Sequence, residues 1–338
     1  MHAKRFIAHL FFLLTVAAAL AQAPLLCRVS VENGVSHFQT RAVKQFADLL
    51  AAKSQGALRV EFHDSASLYR DADAVGALAT GKVEIIVPGI WQLDRFVPET
   101  AALMLPSVYA QPRSIMKNLV DGPFGHSLSK SISSVLGAVV IGPWLDLGYG
   151  QVFGASKPIR SIAEIAGKRI RVAGGKGNEE RIRELGAEAV SISMLDLPSY
   201  LEKGMLDGIL STYETIDSAA LDRAGIRTVL EDTEYYPFYV PLAGGQFWAR
   251  LSPGLKDMVL GSWKEIIARV RDESVRAQEV AKRNLEYRGL VVYQPTEAER
   301  SGTRKKLLEA EDAMARRLNV SAAIVSLLRS EIAKLEKE

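Results

Sequence analysis

Pro253-Gly254 opens a helix that reads from Leu255 to Tyr287. That is about 35 residues, where globular helices usually run about 10–14. At 1.5 Å per residue it covers roughly 50 Å, more than one small domain is wide. The chain therefore has to fold as two bodies with this helix laid across both, and 338 residues at roughly 150 per domain gives the same count.

The rest of the chain reads as α/β. Leu25–Val31 and Leu58–Phe62 are strands, Val83–Val87 is a third, and amphipathic helices His37–Lys53 and Asp71–Ala79 alternate with them. This β-α-β-α-β succession predicts a parallel sheet with helices on its faces. Ser114–Val120 and Phe124–Leu136 are helical, and Ala138–Ile141 is a strand. Glycines then cluster from Gly142 to Gly150, where the chain is expected to cross between bodies. A second α/β unit follows, with strands Lys168–Val172, Ala189–Ile192 and Gly208–Ser211 and helices Asn178–Leu185 and Pro198–Lys203. Ile226–Leu230 and Tyr235–Trp248 are strand-rich, Leu290–Tyr293 is a strand, and a helix runs from Glu297 to the C-terminus. The expected division is 22–147 with 232–272 in lobe I and 148–231 with 273–338 in lobe II, the helix 255–287 spanning both.

Met1 to Arg5 is basic, Phe6–Ala18 is almost wholly apolar, and Ala19-Leu20-Ala21 supplies the small-x-small pattern of a signal-peptidase site. Residues 1–21 are expected to be a signal peptide, cleaved after Ala21 or after Ala23; the latter leaves Pro24 at +1. The apolar run is short for a membrane span of roughly 20 residues. Leu26 before Cys27 argues against lipidation. Loss of Lys4 and Arg5 takes the net charge from +3 to +1. The expected product is an exported, periplasmic protein, monomeric and without disulfides.

A composition 48% hydrophobic and 24% charged is globular. The small net charge, with no Lys/Arg cluster interleaved with aromatics, excludes an electrostatically driven nucleic-acid binder. One cysteine excludes a disulfide framework and a multi-cysteine zinc site. After cleavage the histidines are His37, His63 and His126, none spaced as helical metal ligands. Gly174-Gly175-Lys176-Gly177 follows a strand, but Glu180 stands where a dinucleotide fingerprint needs its third glycine, with Glu179 beside it; carboxylates at a helix start repel a pyrophosphate. The run reads as a tight turn. Neither a nucleophile elbow nor a phosphate loop is present, so no cofactor, metal or catalytic residue is expected.

Phe46–Phe62 (FADLLAAKSQGALRVEF), Ser65–Gly89, Leu103–Tyr109 (LMLPSVY), Ile159–Gly174 (IRSIAEIAGKRIRVAG) and Leu201–Gly208 (LEKGMLDG) stand in an order and spacing that resembles one family. It is the DctP-type substrate-binding proteins of tripartite ATP-independent periplasmic (TRAP) transporters. The resemblance implies a two-lobed α/β periplasmic-binding fold with crossing strands and an interdomain helix. It also implies a cleft that closes on a small carboxylate-bearing solute, and a membrane permease as partner. A liganded receptor signalling to a membrane kinase, or an exported enzyme on the same scaffold, are the alternatives.

The resemblance places the carboxylate-binding arginine at Arg171, in Arg169-Ile170-Arg171-Val172. Independently, Arg171 sits nearest the strand's C-terminal end, where open α/β folds bind ligands, and a guanidinium matches a carboxylate through two parallel hydrogen bonds. Two departures stand out. Ser211 replaces an asparagine that many members use on the carboxylate, with Tyr213 and Glu214 following. Gln151 stands where some members carry a second arginine, so the far end of the ligand is expected to be uncharged and the ligand a monocarboxylate. Further cleft candidates are Glu32, Asn33, Asp71, Gly89 and Trp91 from strand ends of the first lobe, and Met194, Tyr236 and Tyr239.

Overall fold

The computed structural model describes residues 23–155 and 157–337. The expected signal peptide, 1–21, lies outside the described residues. Two sheets carry the fold. The first has the strand order Leu58–His63, Leu25–Ser30, Ile85–Ile86, Leu242–Gly244, Ala138–Val140. Its first three strands are parallel, with Cys27 opposite Val60 and Val29 opposite Ile85. The helices Phe38–Lys53 and Asp71–Ala79 make the crossovers. Leu242–Gly244 returns antiparallel to its neighbours on both sides, so the sheet is mixed.

The second sheet has the order Val291–Tyr293, Thr228–Tyr235, Gly150–Gly154, Gly208–Ser211, Arg169–Val172, Glu188–Ser191. Leu145–Asp146 and Phe238–Tyr239 pair as a short ribbon beside the two passages between lobes. The chain thus leaves the first lobe just before Gly150 and re-enters it just after Tyr235.

The long helix runs from Pro253 to Tyr287. Ser252 caps it, its hydroxyl accepting from Leu255 N at 3.3 Å, with Pro253 at the first helical position, where no N–H is needed. Gly289, at φ +95°, takes the left-handed turn just past its end. Near its start Trp263 meets Phe46 of the first lobe edge-to-face, centroids 5.3 Å apart; near its end Ala281 and Leu285 enter the core of the second lobe. It spans both lobes.

The C-terminal segment departs from the expected division. Val291–Tyr293 does join the second sheet, but the single helix expected after Glu297 is two, Glu297–Arg317 and Ala322–Leu335. Asn319 at φ +58° turns the chain between them and Ser321 caps the second. The first helix touches both lobes: Glu299 accepts from Ile162 N at 2.7 Å and Glu311 from Ser107 Oγ at 2.7 Å. The second packs on the first lobe, where Gln111 Nε2 donates to Glu336 Oε1 at 3.0 Å and Leu328 is fully buried. An apolar helical stripe demands a cover without specifying which sheet supplies it. Gly245–Arg250, of which the residues up to Trp248 read as strand-rich, is a short helix. A Cβ on Gly245 would lie 1.9 Å from Gly137 O, so the backbones meet too closely there for any other residue.

Cys27 occupies the middle of the strand Leu25–Ser30 at 0% exposure, which leaves no room for a lipid. Burial, with Glu84 adding to it, pushes the thiol up to about 12. A maleimide or disulfide reagent at pH 8 is therefore expected to modify Cys27 only at the rate of unfolding. Modification of the native protein within the mixing time would mean that the central strand of the first lobe opens.

Candidate functional site

A cavity lies between the lobes, with about 540 Å³ of space not filled by atoms, part of it open to solvent. The first lobe contributes Glu32 and Asn33, just past a strand end, Asp71, the first residue of its helix, and Trp91. The second lobe contributes Arg171, Asn178, Met194 and Ser211, with Thr212 and Thr215 beyond them; Tyr235 and Tyr239 come from the returning passage.

Strand alternation sets Arg171. Ile170 and Val172 point into the core at 0% exposure. Arg169, on the other side at the strand start, is taken up by Asp207 through Nε and Nη2, both at 3.1 Å. Arg171, at the cavity end, is 2% exposed and donates from Nε to Ile192 O at 2.8 Å. Among the described residues its two terminal nitrogens have no protein partner, and they face the cavity. Burial lowers the guanidinium to about 10, while Glu32, Tyr239 and Asp71 support its charge; it stays protonated at neutral pH. Asp71 lies within hydrogen-bond reach of Glu32. It is held well above the usual carboxylate range, first by burial and then by the Glu32 charge and that hydrogen bond, with Arg171 opposing in part.

Aromatic walls are fixed by their neighbours. Tyr239 meets Trp91 edge-on at 5.4 Å and accepts at its hydroxyl from Asn33 Nδ2 at 3.1 Å. Gly89 does not line the cavity; it seats the indole, since a Cβ there would lie 2.2 Å from the Trp91 ring.

Four further candidates lie elsewhere. The returning strand bulges between Leu230 and Tyr235, with Thr233 at φ +54°. Gln151, 4% exposed, accepts the freed Thr233 N–H at 2.9 Å, so its amide oxygen satisfies a bulge. Tyr213 packs on Phe153 and donates to Glu231 Oε1 at 2.7 Å. Tyr236 donates to Asp146 Oδ2 at 2.8 Å and packs on Tyr149. Glu214 turns away to the other lobe. In each case the side chain meets a partner from a segment distant in sequence.

Sequence reading missed Asn178 and the role of the turn before it. Gly174 and Gly175 press against the first lobe: a Cβ on Gly175 would lie 2.5 Å from Trp91 O. Gln92 Nε2 donates to Ala173 O at 2.8 Å, and Gly177 N donates to Asp94 Oδ2 at 2.9 Å. The consecutive glycines after a strand were the available signal. Behind Tyr235, Arg181 is fully buried, 3.1 Å from Asp232 Oδ2 and 3.5 Å from Glu234 Oε2. Its guanidinium lies 5.1 Å from the Tyr109 ring of the first lobe and 5.8 Å from Tyr235.

The lobes also touch at the cavity's edges. Arg70 Nη1 donates to Asp196 Oδ2 at 2.6 Å, and Met194 N to Glu32 Oε1 at 3.4 Å. Glu214 Oε1 of the second lobe accepts from Phe38 N at 2.6 Å, at the N-terminus of the first lobe's main helix. His37 Nδ1 accepts from Gln39 N, which puts its proton on Nε2, 3.1 Å from both Thr215 Oγ1 and Glu214 Oε2.

Two α/β lobes closed over one buried, unpaired guanidinium define a two-lobed ligand-binding protein. The profile of the bacterial extracellular solute-binding protein family 7, DctP, matches residues 29–317, and the chain belongs to that family. Its members are solute-binding proteins. The C4-dicarboxylate-binding protein DctB of Bacillus subtilis is 25% identical over 226 residues, 66% of this chain and 63% of its own length. An uncharacterized protein of Sinorhizobium fredii is 28% identical over 183 residues, 54% of this chain and 33% of its length. The chain thus spans less than two thirds of these curated relatives. The sugar acid binding protein DctPAm of Advenella mimigardefordensis, in complex with galactonate, superposes at TM-score 0.86 with 20% identity, over 92% of this chain and 98% of that one. A TRAP periplasmic solute binding protein of Sulfurospirillum deleyianum with bound succinate gives 0.83 with 19% identity, over 91% and 99%. No helix among the described residues is long and apolar enough to cross a membrane, and no group of metal-binding side chains occurs among them.

His37 supplies a pH test. Burial, with Arg41 adding to it, lowers its imidazole from 6.5 to about 3. The folded protein therefore favours neutral His37, and that stability is complete above about pH 6.5 and lost as pH falls toward 3. His37→Asn keeps a cap and a donor but does not titrate. In urea denaturation the stability of wild type relative to His37→Asn should decline below pH 6.5 by at most about 1.4 kcal/mol per pH unit. A difference that stays constant from pH 7 to pH 4.5 would show that the imidazole is not held neutral.

Proposed function

We propose that the chain is an extracytoplasmic solute receptor that binds a small organic acid between its lobes and delivers it to a TRAP-type membrane permease. The observation that carries this is Arg171: a buried cation whose two terminal nitrogens face the cavity between the lobes without a protein anion on them. Enclosing an unpaired charge costs several kcal/mol, so the closed form requires an anion there. A carboxylate suits the two parallel N–H groups. Membership of an extracellular solute-binding family and neighbours solved with galactonate and succinate support the same reading. Among the described residues of the cavity wall, the hydroxyl that meets a histidine is Thr215, and it faces the protonated Nε2 of His37, which cannot act as its base, so binding without chemistry fits the cavity best. A leader ending at Ala21 or Ala23 accords with export, and N-terminal sequencing of the secreted protein distinguishes the two ends.

Arg171→Ala should weaken binding of a cognate carboxylate by about 2–5 kcal/mol in calorimetry, since the anion then stays buried without its partner. Affinity equal to wild type would overturn the assignment. Saturating ligand should also lower the radius of gyration in small-angle scattering, as the lobes close over the neutralised arginine. An unchanged radius would mean that the cleft is closed before the ligand arrives.

A further inference from the structure

Polar atoms around the cavity that lack protein partners specify what must meet them. Among them are three donor groups: the two terminal nitrogens of Arg171 and the indole N–H of Trp91, a residue 6% exposed whose Nε1 has no partner. One is an acceptor, Asn178 Oδ1. The orientation of that amide is fixed, because Nδ2 donates to Gly174 O at 3.2 Å. The residue is 2% exposed, and leaving such a group without a partner is costly.

Glu32 and Asp71 complete the wall contributed by the first lobe. Burial and the neighbouring Glu32 charge hold Asp71 well above the usual carboxylate range, so its carboxyl keeps a proton beside the Glu32 oxygens. The pair therefore offers an O–H donor beside acceptor lone pairs.

Among the described residues, Arg171 is the only cationic side chain lining the cavity. One ligand carboxylate satisfies it. A second carboxylate would face the Glu32–Asp71 pair with no cation of its own. An ammonium group would suit the acids but give the Trp91 N–H nothing to donate to. A hydroxyl both donates and accepts, and so matches a wall that presents both kinds of group.

We infer that the cavity selects monocarboxylates bearing hydroxyl groups, with the carboxylate on Arg171 and the hydroxyls read by Glu32, Asp71, Trp91 and Asn178. This rests on the receptor reading above and narrows it to a ligand class.

Six-carbon probes test it by calorimetry on the mature protein: hexanoate, adipate, 6-aminohexanoate, D-gluconate and D-galactonate. At least one of the two aldonates should bind about tenfold or more tighter than hexanoate, with adipate and 6-aminohexanoate weaker than that aldonate. In Glu32→Gln and in Asp71→Ala, the ratio of aldonate to hexanoate affinity should fall about tenfold, whereas a merely structural role would weaken both probes together. Hexanoate binding as tightly as both aldonates, or adipate or 6-aminohexanoate binding tightest, overturns the ligand class and leaves the receptor reading standing. Carboxylates that bind Arg171→Ala as well as wild type, or no response to any probe from a protein that still unfolds cooperatively, overturn the receptor reading and this inference with it.

Discussion

A guanidinium enclosed between two lobes, with one nitrogen bound to Ile192 O and two facing a cavity, sets the terms for the whole molecule. Its desolvation opposes closing, and the ion pair at the rim offsets little of that. Arg70 and Asp196 pair across the rim with about 45% and 44% of their side chains exposed, and exposed pairs contribute at most about 1 kcal/mol. Buried hydrogen bonds also join the lobes, from Gln92 to Ala173 O, from Gly177 N to Asp94 and from Phe38 N to Glu214, but none of them compensates the charge of Arg171. Such coupling of closure to charge compensation suits the proposed receptor role, in which loaded and empty forms must differ.

The scaffold around that charge is fixed by polar groups at the places where the chain passes between lobes. Gln278, midway along the long helix, donates to Leu147 O at 2.6 Å and accepts from Glu214 N at 3.1 Å, so one amide ties the helix to a crossing segment and to the second lobe. Gly148, at φ +82°, leaves room for it: a Cβ there would lie 2.8 Å from Gln278 Cγ. Gln151 closes the bulge at Thr233, and Arg181 with Asp232 and Glu234 braces the strand that carries Tyr235. Buried polar contacts of this kind contribute modestly to stability but are expensive to break singly, which favours one geometry over many.

Much of this was legible in the chain itself. The alternation of period-2 and period-3.6 segments specified two α/β lobes, because those periods depend only on local backbone geometry. The length of the Pro253–Tyr287 helix required it to lie across both. Arg171, Glu32, Asn33, Asp71, Trp91, Met194, Ser211 and Tyr239 were named from strand ends and resemblance, and all eight line the cavity. Strand ends of parallel units converge on one edge, so position in the strand is enough to nominate them.

Tertiary structure alone decided the rest. It turned Gln151 to a bulge, Tyr213 to the half-buried Glu231, Tyr236 to the buried Asp146, and Glu214 to the N-terminus of a helix in the other lobe. It brought Asn178 into the cavity by pressing Gly174 and Gly175 against the first lobe, and it carried the last helix back to the lobe where the chain began. Each of these outcomes depends on a hydrogen-bond partner or an apolar cover tens to hundreds of residues away. Local periodicity says which face of an element must be buried and which residues lie at its end; it contains nothing about which distant donor, acceptor or surface arrives there, and that pairing is settled only when the lobes pack.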